Sequence, residues 1–341
     1  MSSSSQGKTL LFGVGSWRLL LAVLVAASHL WSSMVQGYAA YAVWAFFVLS
    51  GYLMTFVIKH KYGFSRVGLR DFAFNRFLRI YPSYFMALVA GLLVIWWAGS
   101  VCVDTTRLNP EMYMPHGWGW LNPISLLPIF PHNGLPVAVS NALSVEVGAY
   151  FLMPLMARSK STAWLAVVLS VVVTFNLGFA TATFAERYVQ FLPCLMSFAA
   201  GSLVCHYREV LLRFAMPRVS FLIWMIHGAL WLKWDPWPWT YGMYTSLILS
   251  AWVTLSLTAY KSSKMDALLG DTSYPMYLIH TTVGACFLVV FGYGRGLRYF
   301  LVVFVVASLL SILMALFVER PLHRFKRSAR VHDKETSLAQ Q

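Results

Sequence analysis

A histidine and an arginine in the first apolar run are spaced so that a helix would bring them onto one face. Arg18 and His29 are eleven residues apart, which in an α-helix is about 16 Å along the axis and within about 20° of the same direction. Titratable groups inside lipid are costly unless they face partners or water, so each marks a candidate site. A neutral imidazole can take a proton from a hydroxyl, which makes His29 a candidate general base. The alternative is a histidine that hydrogen-bonds between helices for packing.

A second cationic pair, Arg76 and Arg79, stands three residues apart and would share one helical face. Two guanidinium groups suit a phosphorylated donor such as a coenzyme, because they bind phosphate through bidentate, charge-assisted hydrogen bonds. The alternative is anchoring at the membrane surface, since Lys and Arg beside apolar spans are ordinary topology signals.

Further polar residues interrupt later apolar runs. Glu146 should pair with an Arg, a His or a sugar hydroxyl, and the alternative is a structural ion pair. Tyr274, Tyr277 and His280 form an i, i+3, i+6 row, which on a membrane helix should face protein or a cavity. Glu319 closes the last apolar run, where a structural salt bridge near the cytoplasmic face is expected.

Composition indicates the elements that must position these residues. Of 341 residues, 59% are hydrophobic and 11% are charged, with a mean hydropathy of +0.64, whereas soluble domains carry about 25% charged residues. The pattern predicts an all-α integral membrane protein with about ten transmembrane helices, because only helices satisfy the backbone in lipid at these lengths. The predicted spans lie near 17–36, 39–58, 80–101, 141–157, 162–180, 187–206, 219–233, 240–260, 272–293 and 299–319.

Charge predicts the orientation. With both termini cytoplasmic, 21 of the 26 Lys and Arg residues fall on inside segments, which fits the positive-inside rule. The formal charge of +14 is then explained by topology and contact with membrane lipids, so nucleic acid is not an expected partner. The predicted organisation is a cytoplasmic tail over 1–16, a membrane domain over 17–320 and a basic cytoplasmic tail over 321–341. Four cysteines show no metal-ligand spacing, so neither a metal site nor disulfides are expected.

Two segments are then predicted outside, the loop 102–140 and a Trp-rich turn over 231–239. Both could stack on sugar faces, because indole offers a flat apolar surface with a polar edge. The alternative is an aromatic belt at the membrane surface.

Taken together, these residues resemble the membrane acyltransferase 3 family, which includes bacterial polysaccharide O-acetyltransferases. The resemblance covers nearly the whole chain, with its motifs in order. They are Arg18 with His29, Phe46-Phe47-Val48-Leu49-Ser50-Gly51-Tyr52-Leu53, Arg76-x-x-Arg79 followed by Ile80-Tyr81-Pro82, Leu143-Ser144-x-Glu146, the run from Ser273 to His280, and Glu319-x-Pro321.

The resemblance implies a multi-pass protein of the bacterial inner membrane that transfers an acetyl group from cytoplasmic acetyl-CoA to a hydroxyl of an extracytoplasmic or lipid-linked carbohydrate, such as O-antigen or exopolysaccharide. It implies that His29 is catalytic with Arg18 as its partner and Glu146 as a further acidic position. It also implies that Arg76 and Arg79 bind the donor, and we expect the row Tyr274, Tyr277 and His280 beside them. Where the family pattern has Trp-Ser before Leu-Ser-x-Glu, this chain has Asn141-Ala142, so its acceptor contacts should differ.

Two other classes of function fit the helices. A transporter or flippase would move a lipid-linked sugar or a small solute, although no matched pair of Gly/Pro-broken spans supports it. A non-enzymatic scaffold gives no reason for Arg18, His29, Arg76 and Arg79 to follow one path. The acceptor sugar, the acyl group and the oligomeric state are left open by the sequence.

Overall fold

Ten long helices dominate the computed structural model, which describes residues 9–10, 12–34, 37–130, 134–177, 190–233, 239–292 and 295–327. Each coincides with one of the ten predicted apolar segments, with ends that differ by up to about 14 residues. They are α1 Val14–Leu30, α2 Tyr38–Val57, α3 Arg66–Ser100, α4 Ser140–Arg158, α5 Lys160–Asn176, α6 Phe191–His206, α7 Pro217–Lys233, α8 Trp239–Thr258, α9 Lys264–Phe291 and α10 Leu297–Met314.

Among the described residues, four helical stretches are long and apolar enough to cross a membrane: Tyr38–Tyr62, Arg66–Ser100, Lys264–Phe291 and Leu297–Phe325. A fifth candidate is the pair Arg208–Phe214 and Pro217–Trp231, which meet at a bend of 80°. Shorter apolar helices are Val14–Leu30, Lys160–Asn176, Phe191–His206 and Gly242–Thr258. The protein is therefore an all-α membrane protein, while the ten crossings and the cytoplasmic position of both termini stay predictions.

Short elements complete the described chain. The two-residue strands β1 Thr9–Leu10 and β2 Lys261–Ser262 pair in parallel just before α1 and α9. Single helical turns lie at Thr105–Arg107, Gly117–Trp120, Leu121–Ser125, Arg208–Leu211, Leu212–Phe214, Arg320–Leu322 and His323–Phe325, and π-turns at Ile58–Tyr62 and Ala315–Glu319. The second π-turn matters for the site, because it presents Glu319 to α3.

Helices α1 and α9 approach so closely that only glycine fits between them. A Cβ atom on Gly15 would lie 1.7 Å from the carbonyl oxygen of Asp266. The fully buried Asp266 carboxylate accepts hydrogen bonds from the amides of Gly13, Gly15 and Ser16 at 2.7–3.0 Å, and from the Ser16 hydroxyl at 2.7 Å. Because the first amides of a helix lack partners within it, a carboxylate there both caps α1 and fixes it against α9.

A second close contact joins α2 to α6. A Cβ on Gly51 would lie 2.1 Å from the Phe198 carbonyl oxygen, and one on Gly201 would lie 2.0 Å from that of Val48. In membranes such small residues let helix backbones approach and gain van der Waals packing. Helix α10 has the opposite character, since in the apolar window of Leu297–Phe325 only 22% of residues are buried, which suits a lipid-facing helix at the edge.

The segment between α3 and α4 folds back over the helices rather than extending away. The Tyr81 hydroxyl donates to the Ser125 carbonyl at 2.8 Å, and the Tyr84 hydroxyl donates to the Pro123 carbonyl at 2.7 Å. These bonds tie the turn Leu121–Ser125 to α3. The same segment supplies several residues to the site described next.

Candidate active site

One cavity, here named the inner cavity, lies between α1, α2, α3, α4 and α9 and holds the predicted arginine cluster. Its volume of about 120 Å³ is close to that of an engineered cavity that accommodates benzene, so it has room for a small acyl group but not for a nucleotide. Its lining is Arg18, Val43, Phe46, Phe47, Leu49, Ser50, Leu53, Met54, Arg76, Arg79, Ile80, Ala142, Leu143, Glu146, Tyr150, Ser273, Tyr274 and Tyr277.

Two of the three arginines that line the inner cavity, Arg79 and Arg76, differ in their contacts. Arg79 forms an ion pair with Glu319, and its guanidinium lies 5.5 Å from the centre of the Tyr274 ring. Arg76 lies 5.8 Å from the centre of the Phe72 ring, and its Nε has no hydrogen-bond partner among the described residues. Arg79 is thus paired with an acidic group through one guanidinium nitrogen, but its second terminal nitrogen has no partner among the described residues, so both arginines keep donor capacity for an anion. The predicted salt bridge of Glu319 is confirmed.

Glu146 is held by hydroxyl groups in the inner cavity. It accepts hydrogen bonds from Ser50 at 2.9 Å and from Tyr150 at 2.5 Å, both through Oε1. The sequence led us to expect an Arg, a His or a sugar hydroxyl as its partner and a catalytic position together with His29. The structure places Glu146 in the inner cavity with Arg18 and Arg76, not in the outer cavity with His29, and its predicted catalytic role stays a prediction.

A further cation, Lys326, lies near the inner cavity just after the last helical turn. The Asn75 side chain fixes this segment, because its amide donates to the Arg327 carbonyl at 2.8 Å and accepts from the Arg327 amide at 2.9 Å. Burial, with the nearby Arg79 and Arg76 guanidinium groups, lowers the pKa of Lys326 to about 8. Lys326 would regain its full charge beside a bound anion.

A second cavity, here named the outer cavity, contains His29. It has a volume of about 390 Å³ and is lined by Val25, His29, Ala39, Val43, Asn109, Pro110, Glu111, Ala138, Val139, Asn141, Ala142 and Tyr277. It is therefore built where the loop between α3 and α4 covers α1 and the start of α4.

A chain of polar contacts runs across the outer cavity. The Asn109 side-chain nitrogen lies 3.3 Å from Nδ1 of His29, and the Asn109 oxygen accepts from the Glu111 amide at 3.0 Å. The Glu111 carboxylate accepts from the Asn141 side chain at 2.6 Å. Amide and carboxylate groups of this kind hydrogen-bond sugar hydroxyls. Asn141, one of the two positions that depart from the family pattern, is thus part of the outer cavity.

Three buried side chains line both cavities and form a wall between them: Val43, Ala142 and Tyr277. The Tyr277 hydroxyl donates to the Val139 carbonyl at 2.9 Å, which fixes the aromatic ring in the wall. Arg18 and His29 therefore share α1, as their spacing requires, but open into different cavities. The sequence places these residues along one path, and in the structure this path is divided into two cavities that meet at the wall.

The polar row of α9 extends from the inner cavity, through the wall, to His29. Tyr274 lines the inner cavity and donates to the Ile80 carbonyl at 2.9 Å, while Tyr277 stands in the wall. His280 lies at the far end, its ring centre 5.5 Å from that of His29. We expected all three residues to contact the donor, but His280 is placed beside the candidate base instead.

Several site residues were missed by sequence reasoning. Asn109, Glu111 and the anchoring Asp266 carry no motif, and their roles depend on contacts between distant parts of the chain. The only signal for Asp266 was an acidic residue in the first turn of a helix, three residues after the capping Ser263. The predicted Trp-rich turn is only partly described, since residues 234–238 lie outside the described residues.

Comparison with known proteins identifies the class. A family model for the acyltransferase 3 family, described as an acyltransferase domain, matches residues 13–319, most of the chain. The chain belongs to this family and is a membrane acyltransferase. Searches of curated proteins and of solved structures found no match.

Proposed function

We propose that this protein transfers an acetyl group from cytoplasmic acetyl-CoA to a hydroxyl of a surface carbohydrate, such as O-antigen or exopolysaccharide, in the inner membrane of a bacterium. One observation carries the proposal: α1 presents Arg18 to an inner, cationic cavity and His29 to an outer, polar cavity, with a thin wall between. Two water-soluble substrates from opposite sides need such a pair of cavities, because neither can enter lipid.

The charge and size of the inner cavity suit the donor. Coenzyme phosphates would stay near Arg76, Arg79 and Lys326, since several cations near the inner cavity favour anions. The inner cavity admits only the acyl end of the thioester, because its volume is about 120 Å³. Donor binding would thus point the reactive carbonyl toward the wall and toward His29.

The acceptor side supplies the base. His29 would take the proton of the acceptor hydroxyl while the hydroxyl oxygen bonds to the acyl carbon. The carbon–sulfur bond then breaks, and the proton on His29 passes to the departing thiolate, so that free coenzyme A and an ester remain. General-base catalysis of this kind contributes about 10²–10⁴ in rate, and holding both substrates in line adds to it.

The wall must open for this reaction, at least to the width of an acetyl group. Val43 and Ala142 are small, so Tyr277 is the main obstacle between the cavities. In this proposal, donor binding moves the Tyr277 side chain and joins the two cavities.

The test uses membranes from cells that express the protein, supplied with radiolabelled acetyl-CoA and their own glycans. We expect ester-linked acetyl on one surface glycan, identified by mass spectrometry and NMR, and its loss in His29→Ala. The matched control is His227→Ala, because His227 is a half-buried helix histidine, bonded to Tyr41 and Thr245, that lines neither of these cavities.

Undiminished acetylation by His29→Ala at normal membrane abundance would eliminate the proposed base. A purified protein that moves a lipid-linked sugar across vesicles without consuming acetyl-CoA would instead indicate transport.

A further inference from the structure

His280 is a buried histidine with one ring nitrogen unused. Its side chain is 0% exposed, and Nδ1 lies 3.1 Å from the Met276 carbonyl oxygen. A carbonyl oxygen only accepts hydrogen bonds, so Nδ1 carries the hydrogen and Nε2 of the neutral ring is a free acceptor. No described residue donates to this Nε2. A buried polar atom without a partner is rare in folded proteins, and it points to a role.

The tautomer of His29 is fixed by its neighbours in the outer cavity. The Asn109 oxygen accepts from the Glu111 amide, so the Asn109 nitrogen is the atom that faces His29 Nδ1 at 3.3 Å. An amide nitrogen only donates, and Nδ1 of His29 is therefore the accepting nitrogen. In the neutral ring the hydrogen then sits on Nε2.

The two histidines are thus complementary. His29 has a hydrogen on Nε2, and His280 has a free lone pair on Nε2. Their ring centres are 5.5 Å apart and the rings are inclined by 37°. Because the last torsion of a histidine side chain varies broadly, rotation of the rings can direct the two Nε2 atoms toward each other, and ring centres 5.5 Å apart then leave room for a hydrogen bond.

We propose that His280 is a positioning residue that accepts the Nε2 hydrogen of His29 during acyl transfer. The acceptor hydroxyl replaces Asn109 at Nδ1 and gives its proton to that nitrogen. His29 then carries hydrogens on both nitrogens, and His280 holds it by accepting one hydrogen bond without taking a proton. The Nδ1 proton finally passes to the thiolate of coenzyme A, which balances the reaction.

This arrangement is a base oriented by a third group, the logic of hydrolytic triads, with a neutral imidazole in place of a carboxylate. The inference rests on the proposed role of His29 as the base.

The experiment compares three substitutions in membranes supplied with radiolabelled acetyl-CoA and endogenous glycans. His280→Leu removes both nitrogens. His280→Asn keeps a polar group near the Nδ1 position, within reach of Met276, but has no acceptor near Nε2. His280→Gln carries an amide oxygen close to the Nε2 position.

We expect Leu and Asn to lower kcat by at least about tenfold with the KM for acetyl-CoA unchanged. Gln should restore activity to within about fivefold of wild type, since it restores an acceptor. A merely structural role would not distinguish Gln from Asn, and the Asn variant keeps the test valid if Leu fails to fold.

Three results would overturn the inference: wild-type activity in His280→Leu, equal losses in Gln and Asn, or a raised KM for acetyl-CoA with unchanged kcat. The last result would assign His280 to donor binding. If His280→Leu is active and His29→Ala is not, the positioning role fails while the proposed function stands. Activity in His29→Ala removes the proposed function itself.

Discussion

Replacement of Asp266 should weaken the attachment of α1 to α9. Helix α1 carries both Arg18 and His29. In wild type the Asp266 carboxylate accepts four hydrogen bonds from the first turn of α1, at 2.7–3.0 Å. Asp266→Ala removes all four acceptor contacts and leaves three amides and a hydroxyl without them. Asp266→Asn keeps one acceptor oxygen but places the side-chain amide nitrogen, itself a donor, against a donor group of α1.

The size of the effect follows from these contacts. A hydrogen bond to a charged group contributes about 1.5–3 kcal/mol. Removing the carboxylate also ends the cost of burying its charge, which offsets part of the loss. We therefore expect a net loss of about 3–5 kcal/mol for Asp266→Ala and a smaller loss for Asp266→Asn.

Asp271→Asn is the matched control, since Asp271 lies in the same helix and its carboxylate is 3.7 Å from Arg320. Both side chains of that pair are partly exposed, at 28% and 46%, so its loss should cost no more than about 1 kcal/mol. Purified proteins in one detergent would be heated and the folded fraction followed by fluorescence-detected size-exclusion chromatography. An Asp266→Ala protein that melts together with Asp271→Asn would refute the anchoring role.

Three further outcomes are expected. Lys326 loses its charge above its pKa of about 8, so the KM for acetyl-CoA should rise between pH 7 and 9, whereas Lys326→Gln should have a higher KM at pH 7 and a flatter profile. Gly201→Ala should destabilise the protein, since the new Cβ would meet the Val48 carbonyl at 2.0 Å, whereas Gly99→Ala meets nothing within 4 Å and serves as the control in the same melting assay. Tyr277→Ala should increase acetyl-CoA hydrolysis in detergent without acceptor, because it opens the wall, and Tyr277→Phe should not; equal hydrolysis by both variants would count against the wall.

Local pattern was enough to predict the helices and the family. Apolar runs predict where helices lie because a helix in lipid must be apolar along its length. The charged motifs that interrupt these runs predict that Arg18, Arg76 and Arg79 belong to a site. Glu319 was also assigned correctly to a salt bridge, and its partner is Arg79.

The same reasoning could not predict contacts between residues that are distant in the sequence. Asn109 and His29 are 80 residues apart in the chain, and their pairing depends on how the loop after α3 folds back. The wall likewise combines side chains from α2, α4 and α9. Spacing along one helix gives the direction of a side chain but not what closes the space in front of it.

The wall of Val43, Ala142 and Tyr277 also bears on the permeability of the membrane. Under the proposed function, a permanently open channel through the bacterial inner membrane would let protons leak down the electrochemical gradient that drives ATP synthesis. A wall that opened only for the acyl group would instead keep ions out while donor and acceptor react.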